Sequence, residues 1–112
     1  MKIITEKISV TEIKIMAENS FYNLVKAVVD VKSGIMAVDA DLHADEEQIL
    51  IEQGSDQENL WGINIYPDKQ RNEWIEFDSM INLRPYMRNR SRGVEDPNLR
   101  EKIVQIVNAL TE

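Results

Sequence analysis

Between Leu60 and Arg84 the chain reads LWGINIYPDKQRNEWIEFDSMINLR, and this stretch decides the fold. In its first third, Trp61, Ile63 and Ile65 alternate with Gly62, Asn64 and Tyr66. In its last third, Ile75, Phe77, Ile81 and Leu83 alternate with Glu76, Asp78, Asn82 and Arg84. A period of two with one apolar row is the pattern of a strand that buries one face. The two runs, Leu60–Pro67 and Trp74–Arg84, are therefore expected to pair as antiparallel strands with both apolar rows on one face. Without a bulge, opposed residues must then have numbers of even sum, as in Ile65 with Ile75 or with Phe77. The same parity collects Asn64, Tyr66, Glu76, Asp78, Asn82 and Arg84 on the other face. By this reading Trp61 belongs to the core, whereas Trp74, on the polar row, is the candidate surface aromatic.

The flanking sequence supplies the rest of a mixed fold. Ile3, Ile4 and Ile8 allow a short first strand, and Thr11 is placed to cap a helix carrying Ile13, Met16 and Ala17 on one face, ending near Asn19-Ser20. Val25 to Val31, the turn Lys32-Ser33-Gly34 and Ile35 to Val38 read as a β-hairpin in which Gly34 takes positive φ. A second helix is expected from Glu46 to about Gln53, with Asp45 as cap, Gln48 completing a capping box and Gly54 as the stop. In the last helix Asp96 is the cap, Pro97 the first helical residue, and Leu99, Ile103, Ile106, Val107 and Leu110 form the apolar stripe. The order is strand–helix–hairpin–helix–hairpin–helix. The expected architecture is one α+β domain over residues 1–112, with an antiparallel sheet of four to five strands and three helices packed most simply on its apolar face.

Composition bounds the chemistry. With 112 residues, about two-thirds of the unfolded chain's surface can be buried, enough for a core without cross-links. There is no cysteine and one histidine, His43, which excludes disulfide frameworks, thiolate metal sites, thiol nucleophiles and any site needing two imidazoles from one chain. No apolar run has the length of a membrane span, and Met1-Lys2-Ile3-Ile4-Thr5-Glu6 is not the start of a signal peptide, so the cytoplasm is the expected location. Walker, dinucleotide and Gly-x-Ser-x-Gly patterns are missing, and no cofactor is implied.

Charge is segregated. The net charge is −7, yet Ser79 to Val94 holds four arginines and no acidic residue, while the remainder has nine basic residues against twenty acidic ones, a balance of −11. An acidic body argues against non-specific nucleic-acid binding, which needs a positive field. Guanidinium groups grip carboxylate and phosphate in bidentate fashion. The stretch Arg84-Pro85-Tyr86-Met87-Arg88-Asn89-Arg90-Ser91-Arg92 is thus the leading candidate site, with Arg84, Arg88, Asn89, Arg90, Ser91 and Arg92 as contacts. Its expected partner is an anionic small molecule or an acidic protein surface, including a second copy of the chain. The competing reading of those arginines is salt-bridging to the protein's own carboxylates.

Two further groups carry possible chemistry. Asp39-Ala40-Asp41-Leu42-His43-Ala44-Asp45 places carboxylates and the imidazole close together, and His43 with Asp39, Asp41 or Asp78 would be the centre of a small hydrolytic enzyme, with or without metal assistance. The spacing matches no standard metal loop, and helix capping and turn chemistry explain Asp45 and Asp41, so no metal site is assigned. On the polar sheet face (Asn64, Tyr66, Glu76, Asp78, Asn82), Glu76 and Asp78 could divide acid and base roles, but a sheet of this size without a cleft makes a poor saccharide site.

Leu42-His43-Ala44-Asp45, Asn59-Leu60-Trp61-Gly62-Ile63-Asn64-Ile65-Tyr66-Pro67, Asp78-Ser79-Met80-Ile81-Asn82-Leu83-Arg84-Pro85 and Asn89-Arg90-Ser91-Arg92 together resemble a family of short uncharacterised prokaryotic proteins. The resemblance spans nearly the whole chain. It implies a prokaryotic stand-alone domain of unknown function and supplies no catalytic residues.

Overall fold

A computed structural model describes all residues from Met1 to Glu112. Its sheet contains β1 (Lys2–Ile4), β2 (Val25–Asp30), β3 (Ile35–Val38), β4 (Leu60–Ile65) and β5 (Ile75–Glu76), in the order β1-β3-β2-β4-β5 with every pairing antiparallel. The helices are α1 (Val10–Glu18), α2 (His43–Glu52) and α3 (Pro97–Leu110). The expected α+β domain with a five-stranded antiparallel sheet is what forms.

The β2–β3 hairpin turns where the sequence placed it. Gly34 has φ 71°, and the Asp30 carboxylate accepts from the backbone N–H groups of Lys32 (2.9 Å) and Ser33 (3.0 Å). This is Asx-type turn chemistry supplied by the last strand residue. Ser55 Oγ donates to the other oxygen of Asp30 at 2.7 Å and ties the exit of α2 to the hairpin.

The two sheet faces are covered differently. Val25, Ala27 and Val29 of β2, Met36 and Val38 of β3, and Trp61, Ile63 and Ile65 of β4 join Ile13 and Ala17 of α1 and Ile103, Val107 and Leu110 of α3 in the main core. The opposite residues, Val28, Ala37 and Leu60, pack with Leu50 of α2 in a smaller cluster. Helices therefore lie on both faces, not on one. The reason is local: β2 is buried along almost its whole length, a pattern that needs cover on each side.

Several boundaries differ from expectation. Ser9, not Thr11, caps α1, its side chain accepting from Glu12 N at 3.1 Å. Helix α2 begins at His43 with Leu42 in the cap position and no side-chain cap, so Asp45 lies inside the first turn rather than ahead of it. Burial of His43 and Glu46, with the His43 bond to Ile63 O, holds this helix end where a capping side chain would ordinarily serve. Asp96 does cap α3, with Pro97 first. Trp74 is buried in the main core, its indole N–H donating to Lys69 O at 3.0 Å and the Arg71 guanidinium stacked 4.2 Å from its ring centre, so it is not a surface aromatic.

Candidate functional site

The largest departure lies beyond Glu76. Ile65 faces Ile75 and Asn64 faces Glu76, in the even-sum register expected, but β5 stops there and residues 77–84 do not continue as a strand. The chain crosses over Gly62 instead. A Cβ on Gly62 would lie 2.6 Å from both Cβ and Oγ of Ser79, an approach only glycine permits.

The exposed edge of β4 is then satisfied by side chains. Gly62 N–H donates to Asn82 Oδ1 at 2.8 Å, and Asn82 Nδ2 donates to Gly62 O at 2.9 Å and to Arg92 O at 2.9 Å. The carboxamide of Asn82 thus replaces the peptide group that a longer β5 would have presented. Arg84 Nη2 extends the same edge by donating to Leu60 O at 2.6 Å. Asn89 locks the return: its Nδ2 donates to Asn82 O (2.7 Å) and Gly93 O (2.8 Å), and its Oδ1 accepts from Glu95 N (2.9 Å). Backbone bonds from Arg84 N to Asn89 O (2.8 Å) and from Ser79 N to Arg92 O (2.9 Å) close the segment on itself. Ser79 to Gly93 is a braced platform.

Against that frame the four arginines separate. Arg84 is 3% exposed, pairs with Glu47 at 3.4 Å and lies over the Trp61 ring at 4.7 Å; burial pushes its pKa down and the Glu47 charge opposes this. Arg92 donates to Asp78 at 2.7 Å with both side chains about half exposed. Arg88 and Arg90 are exposed, and neither guanidinium has an ion-pair or hydrogen-bond partner in the fold. Arg90 contributes only its backbone N–H, which donates to the Glu95 carboxylate. Ser91 is exposed, and its hydroxyl accepts from Gly93 N at 3.2 Å. Of the six residues read from the sequence as contacts, Arg84 and Asn89 point their polar groups inward, and Arg88 and Arg90 face solvent.

Arg88 adopts φ 60°, the left-handed region in which a side-chain-bearing residue costs about 1–2 kcal/mol. The same segment exposes Met80 (63%), Leu83 (40%) and Tyr86 (75%). The strand reading assigned Leu83 to a buried row. The proline at position 85, which starts a tight helical turn over Pro85–Met87, was the local signal that the period breaks.

On the polar sheet face, Asn64 Nδ2 donates to Glu76 Oε1 (2.9 Å) and Asp78 O (3.3 Å), and Tyr66 OH donates to Glu76 Oε1 (3.1 Å). Asn64, Tyr66, Glu76 and Asp78 are thus brought together, while Asn64 and Asn82 are buried rather than solvated. Partial burial, and then the Glu76 bond, push the Tyr66 pKa upward. His43 also reaches this side of the sheet. Its Nε2 lies 2.7 Å from Ile63 O, and because a carbonyl only accepts, Nε2 carries the hydrogen. Burial lowers the His43 pKa, with the Ile63 bond opposing, which keeps the ring neutral at pH 7. Its hydrogen bond goes to backbone, not to a carboxylate. Asp39 and Asp41 are exposed, Asp39 at φ 68°, and no three His, Asp or Glu side chains converge as a metal-binding set.

An antiparallel five-stranded sheet, two helices on one face, and one helix with a side-chain-braced platform on the other define a small α+β domain, and that platform carries two arginines, Arg88 and Arg90, without an ion-pair partner. The chain belongs to the family described as "Protein of unknown function (DUF5674)", whose model matches residues 2–110. Comparison with curated proteins and with solved structures gives no match. No helix is long and apolar enough to cross a membrane.

Proposed function

We propose that the protein is a non-enzymatic interaction module that engages an acidic protein surface through the Met80–Arg92 platform. One observation carries this reading: two arginines of the cluster are consumed internally by Glu47 and Asp78, while Arg88 and Arg90 stand uncompensated on the segment that also exposes Met80, Leu83 and Tyr86. Aromatic residues, methionine and arginine are the types enriched where proteins meet. A platform fixed beforehand by Asn82 and Asn89 loses little freedom on binding, which favours affinity. The braced turn at Arg88 also makes functional sense, since backbone strain is retained where a side chain has to be aimed.

The test uses a labelled polyglutamate peptide as probe and fluorescence anisotropy as readout. Arg88→Glu with Arg90→Glu should weaken binding at least tenfold with the melting temperature unchanged, whereas Lys14→Glu on α1 should change it little. Equal losses in both variants would reduce the interaction to net charge and overturn the reading.

A further inference from the structure

The platform's uncompensated cations have a counterpart elsewhere on the same molecule. Between the turn after α1 and the segment after β3 lies a cleft of about 300 Å³, lined by Phe21, Tyr22, Leu24, Lys26, Asp39 and Asp41 among others. Phe21 and Tyr22 are 97% and 77% exposed, a degree of exposure unusual for two adjacent large rings. Their centres are 5.8 Å apart at 52°. They are not on a loose loop. Ser20 Oγ donates to Leu24 O at 2.6 Å and accepts from Leu24 N at 3.1 Å, and Asn23, at φ 53°, donates from its side chain to Asp68 at 2.8 Å. Asp39 and Asp41 form no ion pair within the fold. Lys26 also lines the cleft, leaving it one negative charge in excess.

We infer that this cleft receives the Arg88–Arg90 edge of a second copy of the chain, with guanidinium groups stacking on Phe21 and Tyr22 and pairing with Asp39 and Asp41. This rests on the platform being a binding surface, and it names the partner. Carboxylates beside aromatic faces are the chemistry that recognises a guanidinium, which is planar, weakly hydrated and both stacks and forms charge-assisted hydrogen bonds. The two incoming arginines pair one to one with Asp39 and Asp41, turning the cleft's single excess negative charge into a single positive one. In one copy the two surfaces share no residue and no ion pair joins them, so contact between copies is what satisfies both. Because the two surfaces differ, the contact is heterologous: each copy offers its platform to the next, giving a ring or an open chain rather than a two-fold dimer. The −7 bodies repel one another, but at physiological ionic strength that repulsion is screened beyond about 8 Å, while contacting groups are screened much less.

Sedimentation velocity at physiological salt tests the arrangement. The wild-type chain should grow in mass with concentration, past the dimer. Arg88→Gln with Arg90→Gln, and separately Asp39→Asn with Asp41→Asn, should each leave a monomer of native circular dichroism. An equimolar mixture of the two variants should restore association but stop at a one-to-one dimer, since it holds one intact platform and one intact cleft per pair. A wild-type chain that stays monomeric, a variant that still associates, or a mixture that does not pair would each overturn the inference. A monomeric wild type that binds polyglutamate through Arg88 and Arg90 would leave the platform reading standing and assign its partner to another protein.

Discussion

Replacing Asn82 with alanine should destabilise the fold by about 4 kcal/mol, seen as a lowered urea midpoint with little change in slope. The side chain is fully buried and makes three hydrogen bonds, two with Gly62 and one with Arg92 O. Truncation leaves both the N–H and the C=O of Gly62 without partners, while Arg92 O keeps its bond from Ser79 N, and each unpartnered buried group costs roughly 1–3 kcal/mol. Against a total stability of roughly 5–15 kcal/mol this is a large share. Asn82→Asp should fare no better, because it keeps the acceptor for Gly62 N–H but sets a carboxylate against two carbonyl oxygens. Native-state hydrogen exchange adds a local readout: the Gly62 amide should lose protection in the alanine variant. A loss below about 1 kcal/mol would show that Asn82 does not brace the platform.

Glu46 governs the pH dependence. It is fully buried; one carboxyl oxygen accepts from Ala40 N at 3.0 Å and the other has no partner. Burial raises its pKa from 4.5 to about 9, with the Ala40 bond and the Lys26 charge opposing. In the folded chain the group is therefore protonated at neutral pH, whereas in the unfolded chain it is ionised. Between pH 4.5 and about 9 the unfolded state binds fewer protons, so stability is fully present below pH 4.5 and is lost progressively as pH rises to about 9. The total is several kcal/mol, at about 1.4 kcal/mol per unit of pKa shift. Glu46→Gln keeps the acceptor for Ala40 N but cannot ionise. It should flatten the profile and leave the protein about 3–4 kcal/mol more stable than wild type at pH 8, while at pH 4 its buried amide, with one more unpartnered N–H than the protonated carboxyl has O–H, should make it about 1–2 kcal/mol less stable. Chemical denaturation at the two pH values checks the crossing. Parallel profiles for the two proteins would contradict the assignment.

Much of the frame was legible because local chemistry and tertiary position agree there. Asp30 and Gly34 make the hairpin turn, Asp96-Pro97 starts α3, and the odd-numbered residues of β4 form the core row. The reading broke where a residue's type suits two structures. Asn82 and Arg84 read as the polar row of a strand, because their alternation with Ile81 and Leu83 fits one. In the fold the same polar groups cap the edge of β4 as side chains, so a strand's hydrogen bonds form without a strand. Gly62 carried the signal, since a glycine within a strand marks a close backbone approach. Glu46 reads from the sequence only as the start of the second helix, and its burial follows from the packing of α2 on β2 and β3.

The candidate site was half legible. Charge segregation singled out the arginine segment, but nothing in the spacing told Arg84 and Arg92, which find Glu47 and Asp78, from Arg88 and Arg90, which find nothing. Those pairings span 37 and 14 residues and follow from the chain crossing over Gly62. The aromatic turn at Phe21-Tyr22 gave no sequence signal, because its cleft is completed by the segment after β3.

Stability and polyglutamate affinity measured side by side in Arg88→Gly bear most directly on the claim that Arg88 is held outward for a partner. Glycine removes the strain of φ 60° at a cost in unfolded-chain entropy, so the fold should be as stable as wild type or up to about 1 kcal/mol more stable, while affinity for the peptide falls severalfold. A variant that loses more than about 1 kcal/mol of stability while binding as tightly as wild type would place Arg88 in the service of the fold and contradict the account.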